Sequence, residues 1–177
     1  MFPFLLMARA WIGLGSNLGN SRQTLLAAWQ QLGDHKAIKT VQLSSLYRSE
    51  PVGMDSDNWF VNAVGELTTL LAPENLLTEL LAVEHDFGRH RDPSRPGYQD
   101  RTLDLDLLLY DDLILRTDRL ILPHPRLHKR LFVLAPLAEL APDLIHPVLK
   151  CRMDALFRQL QDAIRNNQSQ AISRLHA

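Results

Sequence analysis

Apolar residues recur along this chain in two rhythms, every second position and every third or fourth, and these divide it into strands and helices. Ala8–Leu14 reads as a first strand, closed by the turn Gly15-Ser-Asn-Leu-Gly19. Ser21–Leu32 reads as a helix with a stripe of Leu25, Leu26, Trp29 and Leu32, and Gly33 suits its end. Ile38–Tyr47 predicts a second strand. A turn-rich linker over residues 49–58 leads to a third, Trp59–Leu70, in a hairpin with the second. Pro73 suits a first helical position. The helix it opens carries Leu76, Leu77, Leu80, Leu81 and Val83 on one face and runs to Phe87, before Gly88.

Beyond a loop rich in Arg, Pro and Gly comes a strand ending at Tyr110, with Leu113–Leu115 placed to pair back on it. Leu120–Leu122 is short and apolar. Arg126–Ala141 reads as helical with an interruption at Pro136, and Met153–Arg165 as a last helix. Residues 1–7 read as an N-terminal extension to a single domain, and 166–177 as a disordered polar tail. The order β-α-β-β-α-β favours an α+β layer fold, a mainly antiparallel sheet with helices packed on one face.

The segment Arg101-Thr-Leu-Asp-Leu-Asp-Leu-Leu-Leu-Tyr110 carries the sharpest chemical signal. Side chains two apart on a strand share a face. Asp104 and Asp106 therefore point together, ~7 Å apart at their alpha carbons, with Leu103, Leu105 and Leu107 on the other face. Paired carboxylates suit a hard cation such as Mg2+, which takes oxygen ligands and often keeps substrate phosphates in its shell. The plainer alternative is a half-exposed strand with a solvated acidic face.

Composition narrows the class. Among 177 residues, 46% are apolar and 22% charged, as in an ordinary globular protein of one domain. A net charge of -1 argues against a general nucleic-acid binder. No apolar run approaches the ~20 residues that span a bilayer. The lone Cys151 excludes an internal disulfide and fits the cytoplasm.

Other candidates gain weight beside the aspartates. Residues 89–101 hold Arg89, Arg91, Arg95 and Arg101 around His90, guanidinium forks of the kind that grip phosphate. Such a loop could equally be a solvated basic surface. The glycines from Gly13 to Gly19 do not make a dinucleotide fingerprint, because Leu18 stands where glycine is required. A tight strand-to-helix turn explains them. His124 and His128 are spaced i, i+4, but Pro125 replaces the glutamate of a zinc-protease helix, so His124 reads as an anion contact instead. Asn62, on the same strand face as Phe60, could read a heterocycle edge.

Taken together, Gly13-Leu-Gly-Ser-Asn-Leu-Gly19, Tyr47-Arg-Ser-Glu-Pro-Val-Gly53, Phe60-Val-Asn62, Glu84 with Gly88-Arg89, Arg101-Thr-Leu-Asp-Leu-Asp106, and Leu122-Pro-His-Pro125 with Arg130 and Phe132 resemble the 6-hydroxymethyl-dihydropterin pyrophosphokinases of folate biosynthesis. The resemblance runs from Ala8 to about Pro147. It implies a ferredoxin-like α+β fold and transfer of pyrophosphate from ATP to the pterin hydroxymethyl group, with release of AMP. It implies two Mg2+ ions on Asp104 and Asp106, and catalytic roles for Arg89, Arg91 and Arg101 beside them. ATP would meet Glu84, Arg89, Tyr98, Arg101, Leu107, Arg119, Ile121, His124, Pro125 and Arg130. The pterin would stack between Phe60 and Phe132, with Asn62 on its edge and Ser49, Glu50 and Val52 around it. A cytoplasmic monomer without nucleic-acid or membrane partners is implied, and the arginine loop reads as a lid.

Three departures stand out. Tyr98-Gln99-Asp100 replaces the tryptophan, small residue and proline usual before the arginine, and Asp100 would bring negative charge to the phosphate site. The loop is about two residues longer than in shorter relatives, and Leu81 stands where some members place a polar nucleotide contact. Two other functions fit parts of the pattern: a non-catalytic small-molecule-binding domain on the same scaffold, and a metal-dependent sugar-nucleotide transferase using the Asp-x-Asp pair.

Overall fold

The computed structural model of the chain describes residues 7–53, 56–89, 99–165 and 170–175. Strand β1 (Ala8–Ser16) lies inside an antiparallel sheet, between β4 (Phe60–Thr69) and β5 (Asp104–Tyr110). Both β2 (Ile38–Leu43) and β3 (Tyr47–Ser49) pair with the far edge of β4. Strand β8 (Ile172–Arg174) adds to β3, so the order is β5-β1-β4-β3-β8. With helices α1 (Ser21–Gly33) and α2 (Pro73–Asp86) in the crossovers, the arrangement is ferredoxin-like.

The helix ends follow from local chemistry. Asn20 caps α1 by accepting the Gln23 N–H at 3.2 Å. Pro73 opens α2, and Gly88 leaves it at φ 75°, a left-handed conformation that costs glycine little. The buried residues of α1 are Ser21, Leu25, Ala28 and Leu32, so Leu26 of the expected stripe faces out instead. In α2, Leu76, Leu80 and Val83 are buried and Leu81 is exposed.

The expected second strand is two strands. Leu43 stands opposite Gly65 and Tyr47 opposite Asn62, so this chain advances one residue more than its partner. Ser44 fills the gap: its N–H donates to Val64 O at 2.9 Å and its Oγ accepts the Val64 N–H at 3.0 Å. Leu113–Leu115 does not pair back on β5. Instead β6 (Leu115–Arg116) pairs with β7 (Ile121–Leu122) in a separate ribbon.

Helices cover both faces of the sheet, not one. Leu25, Leu32, Leu76 and Leu80 pack on Ile12, Leu14, Leu105 and Leu107. On the opposite face α3 (Leu131–Leu140) and α4 (Met153–Arg165) bury Leu134, Leu137, Met153 and Leu156 against Trp11, Val64 and Leu108. A shift in register between Trp11 and Ile12 sets Leu109 opposite Trp11, so Leu109 joins Leu108 in that second layer. Pro136 does not interrupt α3. A proline there forfeits a backbone bond at a cost of about 3 kcal/mol. Burial of Leu131, Val133, Leu134 and Leu137 outweighs that, since each buried aliphatic side chain stabilises by about 2 kcal/mol. Nor is the polar tail without structure: Ile172–Arg174 forms β8 within it.

Candidate active site

The β1 glycines belong to the strand rather than to the turn after it, and they make the floor of a cleft. Gly15 lies between Asn62 on β4 and Asp104 on β5, and Gly13 lies beside Asp106. A side chain at Gly15 would meet Asn62 Oδ1 at 3.2 Å. Bare backbone here opens a hollow walled by Ser49, Glu50, Val52, Phe60, Asn62 and Phe132. Its polar groups are pre-set: the Asn62 amide donates to Ser49 Oγ at 2.9 Å, and both residues are buried.

A second, more open cleft lies beyond the aspartates. Leu77, Leu81, Glu84, Arg89, Leu107, Arg119, Ile121, His124, Pro125 and Arg126 line it. Four residues belong to both clefts: Arg101, Asp104, Asp106 and Arg130. The carboxylate pair therefore stands at the junction of a small, more enclosed hollow and a larger, arginine-lined one.

Each carboxylate is held by arginine. Arg89 Nη1 donates to Asp104 Oδ1 at 2.5 Å, and Arg101 Nη1 lies 3.1 Å from Asp104 Oδ2. Arg130 Nη1 lies 3.4 Å from Asp106 Oδ2. The same two arginines cover the aromatic walls, Arg101 5.4 Å from the Phe60 centroid and Arg130 5.5 Å from that of Phe132. Burial, and then the neighbouring charge of Asp104, push the Asp106 carboxyl above its ordinary value. A cation bound between the two carboxylates would relieve that repulsion. Among the described residues, no group of three or more His, Cys, Asp or Glu side chains could hold a metal by itself. Two protein carboxylates with phosphate and water completing the shell is a usual arrangement for Mg2+.

Glu84 supports the pair from behind. It is buried, its Oε1 accepts the Leu105 N–H at 2.7 Å, and it pairs with Arg89. His124 Nδ1 accepts the Arg126 N–H at 3.1 Å, which leaves the proton of the neutral ring on Nε2. Burial first holds this imidazole below its ordinary pKa, with Asp106 pulling the other way.

The structure gathers Ser49, Glu50, Val52, Phe60, Asn62 and Phe132 around the hollow, and Glu84, Arg89, Leu107, Arg119, Ile121, His124 and Pro125 around the cationic cleft. Arg91, Tyr98 and most of the expected lid lie outside the described residues. Asp100 lines neither cleft. Its Oδ1 accepts from Asn17 and Ser56, both at 2.6 Å, and its Oδ2 from Asn58 at 2.8 Å. These donors, Ser56 foremost, hold its carboxyl below the ordinary range. Its charge is thus spent on loop contacts rather than on the phosphate site, contrary to expectation. Asn17 also accepts the Arg101 N–H at 2.8 Å, so it aligns Arg101.

Sequence reasoning gave no site role to Gly13, Gly15 or Asn17, and took Asp100 for a charge at the phosphate site. Glycines inside a strand signal close approach of a ligand or backbone, which could have exposed the first two. The others depend on contacts between distant loops.

The family model of 7,8-dihydro-6-hydroxymethylpterin-pyrophosphokinase matches residues 11–142. A Pseudomonas aeruginosa 2-amino-4-hydroxy-6-hydroxymethyldihydropteridine pyrophosphokinase is 42% identical over 142 residues, 80% of this chain and 86% of that protein. The Haemophilus influenzae protein of the same name is 41% identical over 141 residues, again 80% and 86%. A crystal structure of HPPK-DHPS in complex with substrates superposes with a TM-score of 0.77 at 12% identity, covering 97% of this chain. This chain spans 47% of that longer one, and at such identity the likeness shows the fold alone. The chain belongs to the 7,8-dihydro-6-hydroxymethylpterin-pyrophosphokinase family.

Proposed function

We propose that this chain transfers the terminal pyrophosphate of ATP to the hydroxymethyl oxygen of 6-hydroxymethyl-7,8-dihydropterin and releases AMP. One observation carries the reading: two clefts of different character meet at Asp104 and Asp106. The smaller hollow suits a pterin stacked between Phe60 and Phe132, with the Asn62 amide on its edge and Ser49, Glu50 and Val52 as walls. The cationic cleft suits a triphosphate. Arg89, Arg101, Arg119 and Arg130 would neutralise it, and the neutral His124 would donate a hydrogen bond.

In the reaction the pterin oxygen attacks the β-phosphorus. The bond from that phosphorus to the α-phosphate oxygen breaks, AMP leaves, and the hydroxyl proton passes to water. Little covalent work falls to the protein, so alignment and charge neutralisation dominate. Asp104 and Asp106 would hold two Mg2+ ions. These, when bound, would offset phosphate charge on both the attacking and leaving sides. Arg101 and Arg130 each span an aromatic wall and an aspartate, so one side chain registers both substrates. The lone thiol, Cys151, is in keeping with a cytoplasmic enzyme.

Incubation with ATP, Mg2+ and the hydroxymethyl pterin should produce AMP. ADP as the nucleotide product would overturn the reaction class. Pterin binding with no turnover and no dependence on Mg2+ would mean a non-catalytic domain. Asp104→Ala and Asp106→Ala should each abolish AMP release, and full activity in either would refute the metal role.

A further inference from the structure

We propose that residues 170–175, which lie beyond the span matched by the family model, are a positioning element of the pterin hollow. The inference rests on the reading of that hollow as the pterin site. The segment touches both of its walls. On one side β8 pairs with β3, placing Ile172 opposite Ser49. Glu50 N–H donates to Ala171 O at 3.0 Å, and Ala171 N–H reaches back to Glu50 Oε2 at 3.3 Å. Ser49 and Glu50 both line the hollow.

On the other side Gln170 clasps the start of α3. Its Oε1 accepts the Leu131 N–H at 3.0 Å, and its Nε2 donates to Lys129 O at 3.2 Å. The residue between those two is Arg130, the α3 N-cap, whose own side chain makes no cap bond. Gln170 supplies the missing acceptor for an N-terminal donor of the helix. It thereby fixes the backbone that carries Arg130 and, one residue past Leu131, Phe132. Both reach the hollow, and Arg130 also reaches Asp106.

The backbone conformation points the same way. Gln170 has φ 60°, a left-handed conformation that few residues other than glycine adopt. An outlier of this kind persists where its surroundings over-determine it. Here two side-chain bonds and the adjoining strand do so. The segment ties together the β3 wall and the α3 wall of the hollow.

Three variants of the full chain test this. Gln170→Gly relieves the backbone strain and removes only the clasp, so it should fold. Gln170→Glu keeps an acceptor for Leu131. Ser173→Pro strikes the strand: paired backbone groups fall at Ala171 and Leu175, so Ser173, between them, also faces β3. Losing the clasp should raise the KM and the dissociation constant for the hydroxymethyl pterin about fivefold, the worth of roughly one net hydrogen bond. Gln170→Glu should recover part of this. Thermal midpoints should stay near wild type for the Gln170 variants, and Ser173→Pro should weaken pterin binding as well. Unchanged pterin binding in Gln170→Gly and Ser173→Pro, with wild-type AMP release, would overturn the inference alone. Failure of the wild-type chain to bind the pterin at all would overturn the reading of the hollow and this inference with it.

Discussion

Glu84 accepts the backbone N–H of Leu105 at 2.7 Å, and Leu105 is the residue between Asp104 and Asp106. A glutamate at the end of α2 thus holds the main chain of β5 where both carboxylates emerge. The same carboxylate pairs with Arg89, which in turn donates to Asp104. A glutamate in the last turn of a helix opposes the dipole, which favours cations at that end. Burial shows why it is there: the negative charge serves the strand and the arginine rather than the helix.

Glu84→Ala should therefore reduce both stability and turnover. It strands a buried N–H and removes one partner of a buried ion pair, a combination expected to cost about 3 kcal/mol. A lower urea midpoint and a smaller kcat for AMP release would report it. Glu84→Gln can still accept from Leu105 and should lose less. Equal stability of Glu84→Ala and wild type would show that Leu105 finds another partner.

Asp100 ties Asn17, Ser56 and Asn58 together, and Asn17 in turn accepts the Arg101 N–H. Asp100→Ala should lower kcat/KM about tenfold through a shifted Arg101, since displacement of ~1 Å can cost far more than that. Asp100→Asn keeps an acceptor for Asn17 and Ser56 and should stay near wild type. Steady-state kinetics of the two variants, read beside their melting midpoints, separate alignment from folding.

Gly65 lies under the ring of Trp29, and a Cβ added there would overlap that ring. Gly65→Ala should destabilise the fold by about 2 kcal/mol, the usual scale of overpacking. Trp29→Leu in the same chain should recover part of the loss, because the two changes share one contact. Denaturant titration of the single and double variants checks this.

His146 is buried, and its Nδ1 accepts the N–H groups of Val148 and Leu149, both at 3.2 Å. Burial, and then the proximity of His128, lower its pKa. The unfolded chain then binds a proton more readily than the native state does. The stability from the neutral ring is complete above the unfolded pKa of about 6.5 and is lost as pH falls through and below it. Melting midpoints should drop between pH 7 and pH 5. His146→Asn, which retains an acceptor but cannot titrate, should flatten that drop. An unchanged slope would assign it to other groups.

Much of this fold was legible because short-range chemistry wrote it. Met153–Arg165 and the hairpin partners of β4 follow from periodicity, and Pro73 and Gly88 mark the ends of α2. The shared face of Asp104 and Asp106 follows from strand geometry, which no distant contact is needed to establish. What was misread depended on partners far along the chain. Pro136 stays helical because its neighbours are buried, Ser44 breaks a strand by bonding Val64, and Asp100 turns to Asn17 and Asn58.

The sequence by itself determined the elements, the carboxylate pair and the family pattern, because each is set by neighbours within a few residues. Only the tertiary structure decided that helices cover both faces, that β1 glycines floor the hollow, and that β8 pairs with β3. Those features arise where segments distant in sequence meet. Local composition cannot encode which of many exposed polar groups will find each other once apolar burial has set the distances between them.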